Sequence, residues 1–437
     1  MHIYPKTAHK VYYSIIAGAL IAVIVGWLLG NINTITLPGS LLVSVARLFG
    51  LIAAFSILLE VLLISRIPLV ENYFDLDRIL DLHRLNGYGV LLGTIGHIVF
   101  LSFGYSAASQ INAFSQFIQL NTQNRNVLLA SIGTIIFFIA ALISIKIIRQ
   151  RLKYEVWYSI HLFIYVAILL VFFHQISNGG DFKDQVWFKY YWITLYVLVL
   201  GSLLIYRLSR PIYKYFKHKF TIQKITREAE DIYSIIVTGK NITKFLFLPG
   251  QYATIRFLKR GLWFQAHPYS VSSELGQDYI RFTIKLKSNY SRDILTLGSG
   301  TKVLIEGPRG SFIPTRSDKD VVILIACGIG IAPFLSSINK LLLSKKAVYL
   351  FYAVHSPKMV AFKKQLDNYK LAGLHLKYCI STSGSRIDDN LLKYCASINE
   401  DADIFICGPT TTSKLFIKKL ASFGVPKSNL KSEQFIL

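Results

Sequence analysis

Only four cysteines occur in the 437 residues, Cys327, Cys379, Cys395 and Cys407, and all lie in the second half. None has Cys-x-x-Cys spacing, so neither a disulfide framework nor a zinc site is suggested, and a reducing compartment suits that half. Charge is scarce too, at 16% of residues, and acid is the scarcer sign: 24 Asp and Glu stand against 48 Lys and Arg, a formal +24. No run of more than two basic residues and no nucleic-acid motif occurs, so the excess does not mark a nucleic-acid partner. Residues 1–218 hold 17 Lys and Arg against 8 Asp and Glu, so +9 lies there and +15 in residues 219–437. A basic half beside an anionic leaflet would be held near the bilayer and would attract an anionic dinucleotide.

What the chain has in abundance is apolar length. Hydrophobic residues make up 53%, concentrated in runs such as Val11–Leu29 and Val127–Ile145. A spanning helix needs about 20 mostly apolar residues, and lipid leaves no partner for unpaired backbone, so such runs become helices. Six are expected, at 11–29, 41–64, 82–103, 127–146, 155–175 and 187–207. The first is followed by five more and lacks a convincing cleavage site, so it reads as a span and not a cleaved signal. Segments facing one side carry Lys6, Lys10, Arg66, Arg78, Arg84, Lys146, Arg149, Arg151, Lys153, Arg207, Arg210, Lys214 and Lys217; the opposite side has only Arg125, Lys183 and Lys189. The positive-inside rule then places both termini and the second half in the cytosol of a multi-pass cell (plasma) membrane protein. Tyr154, Trp157 and Tyr158 at the start of the fifth span, and Trp187, Tyr190, Tyr191 and Trp192 at the start of the sixth, fit interfacial belts.

Ionisable residues inside spans are costly and usually functional. The third span carries His83 and His97, and the fifth carries His161 and His174. Fourteen residues put His83 and His97 about 21 Å apart along the axis and only about 40° short of four full turns, so they share a face. Thirteen residues leave His161 and His174 about 140° apart on an ideal helix, so a wide turn or π-bulge is expected between them. If the faces meet, His83–His161 and His97–His174 each clamp one b-type haem through two axial imidazoles. Two stacked haems suit a hydrocarbon core about 30 Å thick. In the second span, Arg47 could neutralise a haem propionate or attract an anionic acceptor, while Glu60 shows no clear partner beyond Arg66. His2, His9, His218 and His375 read as surface residues.

The second half alternates short β-rich runs with turns. Phe220–Ile225, Ile232–Val237 and Tyr252–Phe257 read as strands, with Pro249–Tyr252 opening the last of these. His267–Ser273, Phe282–Leu295 and Glu306–Phe312 follow at a spacing that suggests a small antiparallel barrel. From residue 321 the rhythm changes. The strand Val321–Ala326 runs into Gly328 and Gly330 before a helix near Pro333, a turn that lets backbone amides approach a pyrophosphate. Ala347–Val354, Leu376–Ile380 and a strand ending at Cys407–Pro409 alternate with helices as in a parallel, doubly wound sheet. The expected division is 1–218 for a six-helix transmembrane haem-binding domain, 219–315 for an antiparallel barrel and 316–437 for an α/β dinucleotide-binding domain.

With these residues in view, the second half resembles the ferredoxin–NADP reductase superfamily, and the whole chain resembles the NADPH oxidase and ferric reductase family, whose histidine spacings it shares. The resemblance implies that His267-Pro268-Tyr269-Ser270 is a flavin-binding motif, its aromatic packing on the isoalloxazine and its hydroxyl bonding the ring or a phosphate. It implies that Lys285 and Ser291 belong to a second flavin motif, with Ser288 where glycine is common. Gly328, Gly330 and Pro333 match the dinucleotide loop, and Cys407-Gly408-Pro409 matches the nicotinamide side. The terminal Glu433–Leu437 resembles the family's ending, making Phe435 a candidate to cover the flavin until nicotinamide displaces it.

The expected cofactors are therefore FAD, two b-type haems and NADPH or NADH. The expected activity is reduction of an external small-molecule acceptor, a ferric chelate or dioxygen, with the bilayer as environment and no obligatory protein partner. Lys358 and Arg386 are candidates to meet a 2′-phosphate. A nucleotide-gated six-helix transport or sensor protein without haem is the alternative from another class. The fourth span has no arginine ladder, however, and histidines are the main polar feature of the spans. An electron-relay subunit of a larger complex is a further alternative, opposed by flavin and nicotinamide motifs in one chain.

Overall fold

The computed structural model of the protein describes residues 5–32, 39–71, 76–152, 154–287 and 289–435. They fall into two compact units, one within 1–73 and 78–207 and the other within 74–77 and 208–437.

The first unit is helical, as long apolar runs require. Its helices are α1 (Pro5–Asn31), α2 (Ser40–Ile64), α3 (Leu76–Ser109) and α4 (Arg125–Ser144), a fifth span divided into α5 (Tyr154–Leu162) and α6 (Ile164–Asn178), and α7 (Val186–Leu203). Six stretches are long and apolar enough to cross a membrane: Lys10–Asn31, Ser40–Ile64, Arg78–Ser109, Arg125–Ser144, Val156–Asn178 and Val186–His218. The expected six spans are thus present. A short helix, Ala113–Gln123, lies in what the sequence reads as a plain loop; Asn112 caps it by accepting from Ser115 N–H at 2.8 Å.

The second span is the most buried: Ala53, Ala54, Phe55, Ile57, Leu58 and Val61 are all in the core. Lipid offers helices no hydrophobic drive toward one another, so association depends on close packing at small residues. Gly93 lies against Ala53 and Gly96 against Phe49, each with room for a Cβ only at about 3.0 Å from its neighbour. Phe188 and Trp192 of α7 are fully buried in one core cluster with Leu51, Ala54 and Leu58. The outward residues Ile15, Leu92, Ile135, Leu169 and Val197 stay exposed and apolar, as lipid-facing positions should.

After α7 the chain passes through a π-helical segment, Leu204–Ser209, into α8 (Arg210–His218). Six strands follow: β1 (Thr221–Ala229), β2 (Ile232–Thr238), β3 (Tyr252–Phe257), β4 (His267–Ser270), β5 (Ile280–Lys285) and β6 (Val303–Arg309). They form two antiparallel sheets, β1-β2-β5 and β4-β3-β6. Single antiparallel bridges, Thr221 to Lys302 and Val271 to Phe282, join their edges, giving the barrel-like module expected. Its core includes Phe220, Ile235, Ile255, Phe257 and Phe282. His218 corrects a sequence reading: it is buried, stacks on Phe220 at 5.0 Å, and its Nδ1 lies 3.1 Å from Lys240 O.

Five strands, β7 (Val321–Cys327), β8 (Ala347–Val354), β9 (His375–Ile380), β10 (Asp403–Pro409) and β11 (Leu430–Phe435), form a wholly parallel sheet in the order β11-β10-β7-β8-β9. Helices α9 (Ile338–Leu343), α10 (Lys363–Leu371), α11 (Asp389–Ile398) and α12 (Thr410–Ser422) intervene. Val322, Leu324 and Ala326 belong to one core and Ile323 and Ile325 to another, so both faces are covered, as a parallel sheet needs. Truncating a fully buried barrel residue, Phe282→Ala, should cost about 3–5 kcal/mol, measured as an earlier transition of the second unit in chemical denaturation of the detergent-purified protein.

Candidate functional sites in the two units

The α3 periodicity puts His83 and His97 on one face, and the structure sets both against the fifth span. The His83 and His161 ring centres are 6.4 Å apart with planes at 66°; those of His97 and His174 are also 6.4 Å apart, at 63°. The device that aligns His161 with His174 is not the wide turn expected. The span is broken at Phe163 by a tight turn, in which the Phe163 N–H donates to Ile160 O at 3.1 Å. Two metal–imidazole bonds of about 2 Å would set facing nitrogens about 4 Å apart and ring centres roughly 6 Å apart. Each pair therefore fits one axially held metal.

Both α3 rings are aimed by α2. His97 Nδ1–H donates to Ala46 O at 2.8 Å; this approach requires Gly50, where a Cβ would lie 2.7 Å from His97 Nδ1. His83 Nδ1 is paired with the Glu60 carboxylate, whose Oε1 accepts from Asn86 Nδ2 at 2.7 Å. Glu60 thus has definite partners that its sequence neighbourhood does not reveal, although Asn86 falls one helical turn beyond His83 and so on the same face. On the fifth span, Trp157 stacks on His161 at 5.1 Å. Arg47, next to Ala46, faces the buried Asp181 at 3.9 Å.

In the second unit, β3 pairs with β4 so that Tyr252 opposes Ser270 and Thr254 opposes Pro268. Paired residues share a sheet face, so Ser270 and Thr254 lie on one side. Both hydroxyls are buried without a hydrogen-bond partner, so each has hydrogen-bonding capacity to spare. Tyr269 and His267 occupy the opposite face, His267 stacking against Tyr290 at 4.0 Å. Burial, with Tyr290 nearby, pushes the Tyr269 phenol well above its usual range, so it stays neutral. Lys285 ends β5; Ser291 is buried and its hydroxyl accepts from Lys287 N–H at 3.0 Å. Ser288 lies outside the described residues.

The carboxyl ends of β7 and β10 are adjacent, at the point where strand order reverses and ligands bind in doubly wound sheets. Gly328 has φ +58°. A Cβ on Gly330 would lie 2.0 Å from Cys407 O, and one on Gly408 2.7 Å from Cys327 Cβ, so the two motifs are in backbone contact. Pro333 is buried; its carbonyl accepts from Ser336 Oγ, which in turn accepts from Gly250 N–H of the barrel, both at 2.9 Å. Cys407 is fully buried, and burial, with Glu433 and Cys327 near, pushes its thiol well up; burial takes Cys327 to about 12. Both are neutral thiols, able to pack against a ring but not to act as thiolates. The backbone of Phe435 pairs with Pro409 at the end of β11; its side chain lies outside the described residues.

A polar chain between barrel and sheet carried no sequence signal. Asn339 Nδ2 and Tyr369 OH donate to the two Glu274 oxygens at 2.8 and 2.7 Å. Gln365 Nε2 donates to Tyr369 OH at 2.9 Å, and Arg281 Nη2 to Gln365 Oε1 at 3.1 Å. Burial pushes the Tyr369 phenol up to about 12, reinforced by its bond to Glu274.

Comparison with known proteins follows this division. The family model described as ferric reductase like transmembrane component matches residues 49–172, that of an FAD-binding domain 217–312, and that of an oxidoreductase NAD-binding domain 324–415. A ferric reductase like transmembrane component, an FAD-binding domain and an NAD-binding domain therefore follow one another in a single chain with six helices of membrane-spanning length. That order is the architecture of the ferric reductases and NADPH oxidases.

Flavohemoprotein A of Dictyostelium discoideum is 28% identical over 241 residues, covering 50% of this chain and 60% of its own length. A flavohemoprotein of a Burkholderia species is 25% identical over 233 residues, 49% of this chain and 58% of its own. The chain thus spans less than two thirds of the length of these relatives. Among solved structures, the flavohem-like FAD/NAD-binding domain of nitric oxide dioxygenase from Vibrio cholerae is similar. It has a TM-score of 0.43 at 21% identity, covering 49% of this chain and 97% of that one.

Two expectations follow. Gly330→Ala should displace the loop from Cys407 and slow NAD(P)H-driven flavin reduction by about 100-fold, with dithionite reduction unchanged, as stopped-flow absorbance would show. Because both thiol pKa values are raised, Cys327 and Cys407 remain protonated at about pH 8. Iodoacetamide should spare both in the folded protein and label both after denaturation, read by peptide mass spectrometry.

Proposed function

We propose that this chain moves electrons from cytosolic NAD(P)H through FAD and two b-type haems to a one-electron acceptor on the opposite face of the cell membrane. The observation that carries the proposal is the equal 6.4 Å spacing of two imidazole pairs on the same two spans. It suits an iron that takes four ligands from porphyrin and two from protein. When bound, the nicotinamide supplies a hydride, the flavin divides that electron pair and the irons pass electrons singly.

The protein's part is to hold and aim. His83 and His161 would hold the haem nearer the cytosol, His97 and His174 the outer one. Ser270 and Thr254 offer hydroxyls to the flavin, and the Gly328–Gly330 loop with Cys407–Pro409 receives the dinucleotide. Phe435, whose backbone pairs with Pro409, would cover the flavin ring in the absence of nicotinamide. Loop charge supports a cytosolic nucleotide module.

At the outer level, Arg47 follows the residue whose carbonyl aims His97, so an anionic ferric chelate, or dioxygen leaving as superoxide, would meet a cation there. Lys377, Arg386, Ser383 and Ser385, with Asp388, line one open cavity in the nucleotide module. That basic pair favours NADPH through its 2′-phosphate; Lys358 does not line the cavity.

A reduced-minus-oxidised absorption spectrum of purified protein, taken with NADPH and then NADH, tests the reading. Two b-type haems per chain reduced by NADPH in preference to NADH are expected, and a haem-free protein would overturn it. His97→Leu or His174→Leu should lose one haem of the two and keep flavin reduction; undiminished reduction of an external dye by either variant would sink the pairing.

A further inference from the structure

Glu60 is the one acidic residue of α2, and a carboxylate in a span is tolerated where it is partnered and has work to do. Its side chain is 15% exposed and is paired with His83 Nδ1. Asn86 steadies it, donating at 2.7 Å to Glu60 Oε1 and at 2.8 Å to Ser56 O, which leaves Oε2 turned to the imidazole. The other histidine of α3 has a different partner: His97 Nδ1–H donates to the neutral carbonyl of Ala46 at 2.8 Å.

The two levels therefore share one ring separation, 6.4 Å, and differ in the acceptor that α2 presents to the α3 imidazole. The fifth span does not cancel the difference, since His161 Nδ1 has a hydroxyl, Ser144 Oγ, at 3.5 Å. Nor does the second level carry an unopposed anion, because Asp181 faces Arg47 at 3.9 Å.

An imidazole that donates to a carboxylate is a more basic ligand than one that donates to a carbonyl. Stronger donation to a metal favours its oxidised form, and hydrogen bonding around the axial ligand is one of the protein's levers on haem potential. We propose that Glu60 makes the His83–His161 level the lower-potential one, so that the His97–His174 level draws electrons outward downhill. This rests on the haem reading above. The bias concerns one electron, lost at the first level and gained at the second; no bond breaks, and the Nδ1 protons stay on His83 and His97.

The test is a potentiometric titration of purified full-length protein followed by haem absorption, with haem content per chain measured alongside. His97→Leu, retaining only the first level, assigns the waves. The wild type should show the first level lower. Glu60→Gln should keep two haems and shift the first-level equilibrium toward the reduced form about tenfold or more, about 59 mV for a one-electron couple, with the second wave unmoved. Two haems with both waves unmoved, a shift confined to the second wave, or a wild type whose first level is already the higher would overturn the inference. Where Glu60→Gln fails to retain haem, Asn86→Ala keeps the carboxylate but unties it. A smaller shift of the first wave alone is then expected, and an unmoved first wave overturns the proposal. A wild type without haem is a separate result that removes the haem reading itself.

Discussion

An imidazole inside an apolar span has to be both partnered and aimed, because an unpaired ring nitrogen there is costly and a misdirected one is useless to a ligand. In this protein that requirement falls on the contact between α2 and α3. Ala46 and Glu60, fourteen residues apart on α2, take the Nδ1 sides of His97 and His83, turning each Nε2 away from α2. Such contact is possible only where the helices approach closely, at Gly50, Gly93 and Gly96. Small residues are how helices pack when lipid supplies no hydrophobic drive. The burial of α2 and the convergence of the fifth span on the same ring pairs belong to one arrangement.

The second unit meets a parallel demand with backbone instead of side chains. A dinucleotide needs amides that can approach its phosphates, and these occur where β7 and β10 end side by side. Gly330 against Cys407 and Gly408 against Cys327 remove the side chains that would hold those turns apart. The thiols beside them are buried and neutral, giving that floor an apolar character. Barrel and sheet are then tied by Glu274, Asn339, Tyr369, Gln365 and Arg281, with the Arg281 guanidinium 4.6 Å over the Phe362 ring. A half-buried polar chain of this kind is strong when every member is satisfied, so it favours a single orientation of the two modules.

The bias inferred for Glu60 joins these two halves of the argument. Two sites built to the same ring spacing are equivalent until something beyond the ligands distinguishes them, and α2 supplies an anion at one level and a peptide carbonyl at the other. The inferred direction then needs no moving part, only a difference in the fixed groups that α2 sets against the two imidazoles.

Element type and chemistry were legible in the residues. Apolar runs of spanning length can only be helices in lipid, and fourteen residues bring His83 and His97 to one face by helical arithmetic alone. Glycine at the ends of β7 and β10 announces a close backbone approach. What the sequence could not supply were facts about rotation and partnership. The turn at Phe163 tightens where a widening was expected, and only the structure shows His161 and His174 both meeting rings of α3. His218 is buried beside Phe220, although its sequence setting is a basic surface helix. The pairing of Glu60 with His83, across the turn between two spans, depends on the rotation of α2 about its own axis. Local sequence determined the helices and their histidines; tertiary packing decided which way each ring points and what stands behind it, since those contacts join residues on different helices, beyond the reach of periodicity.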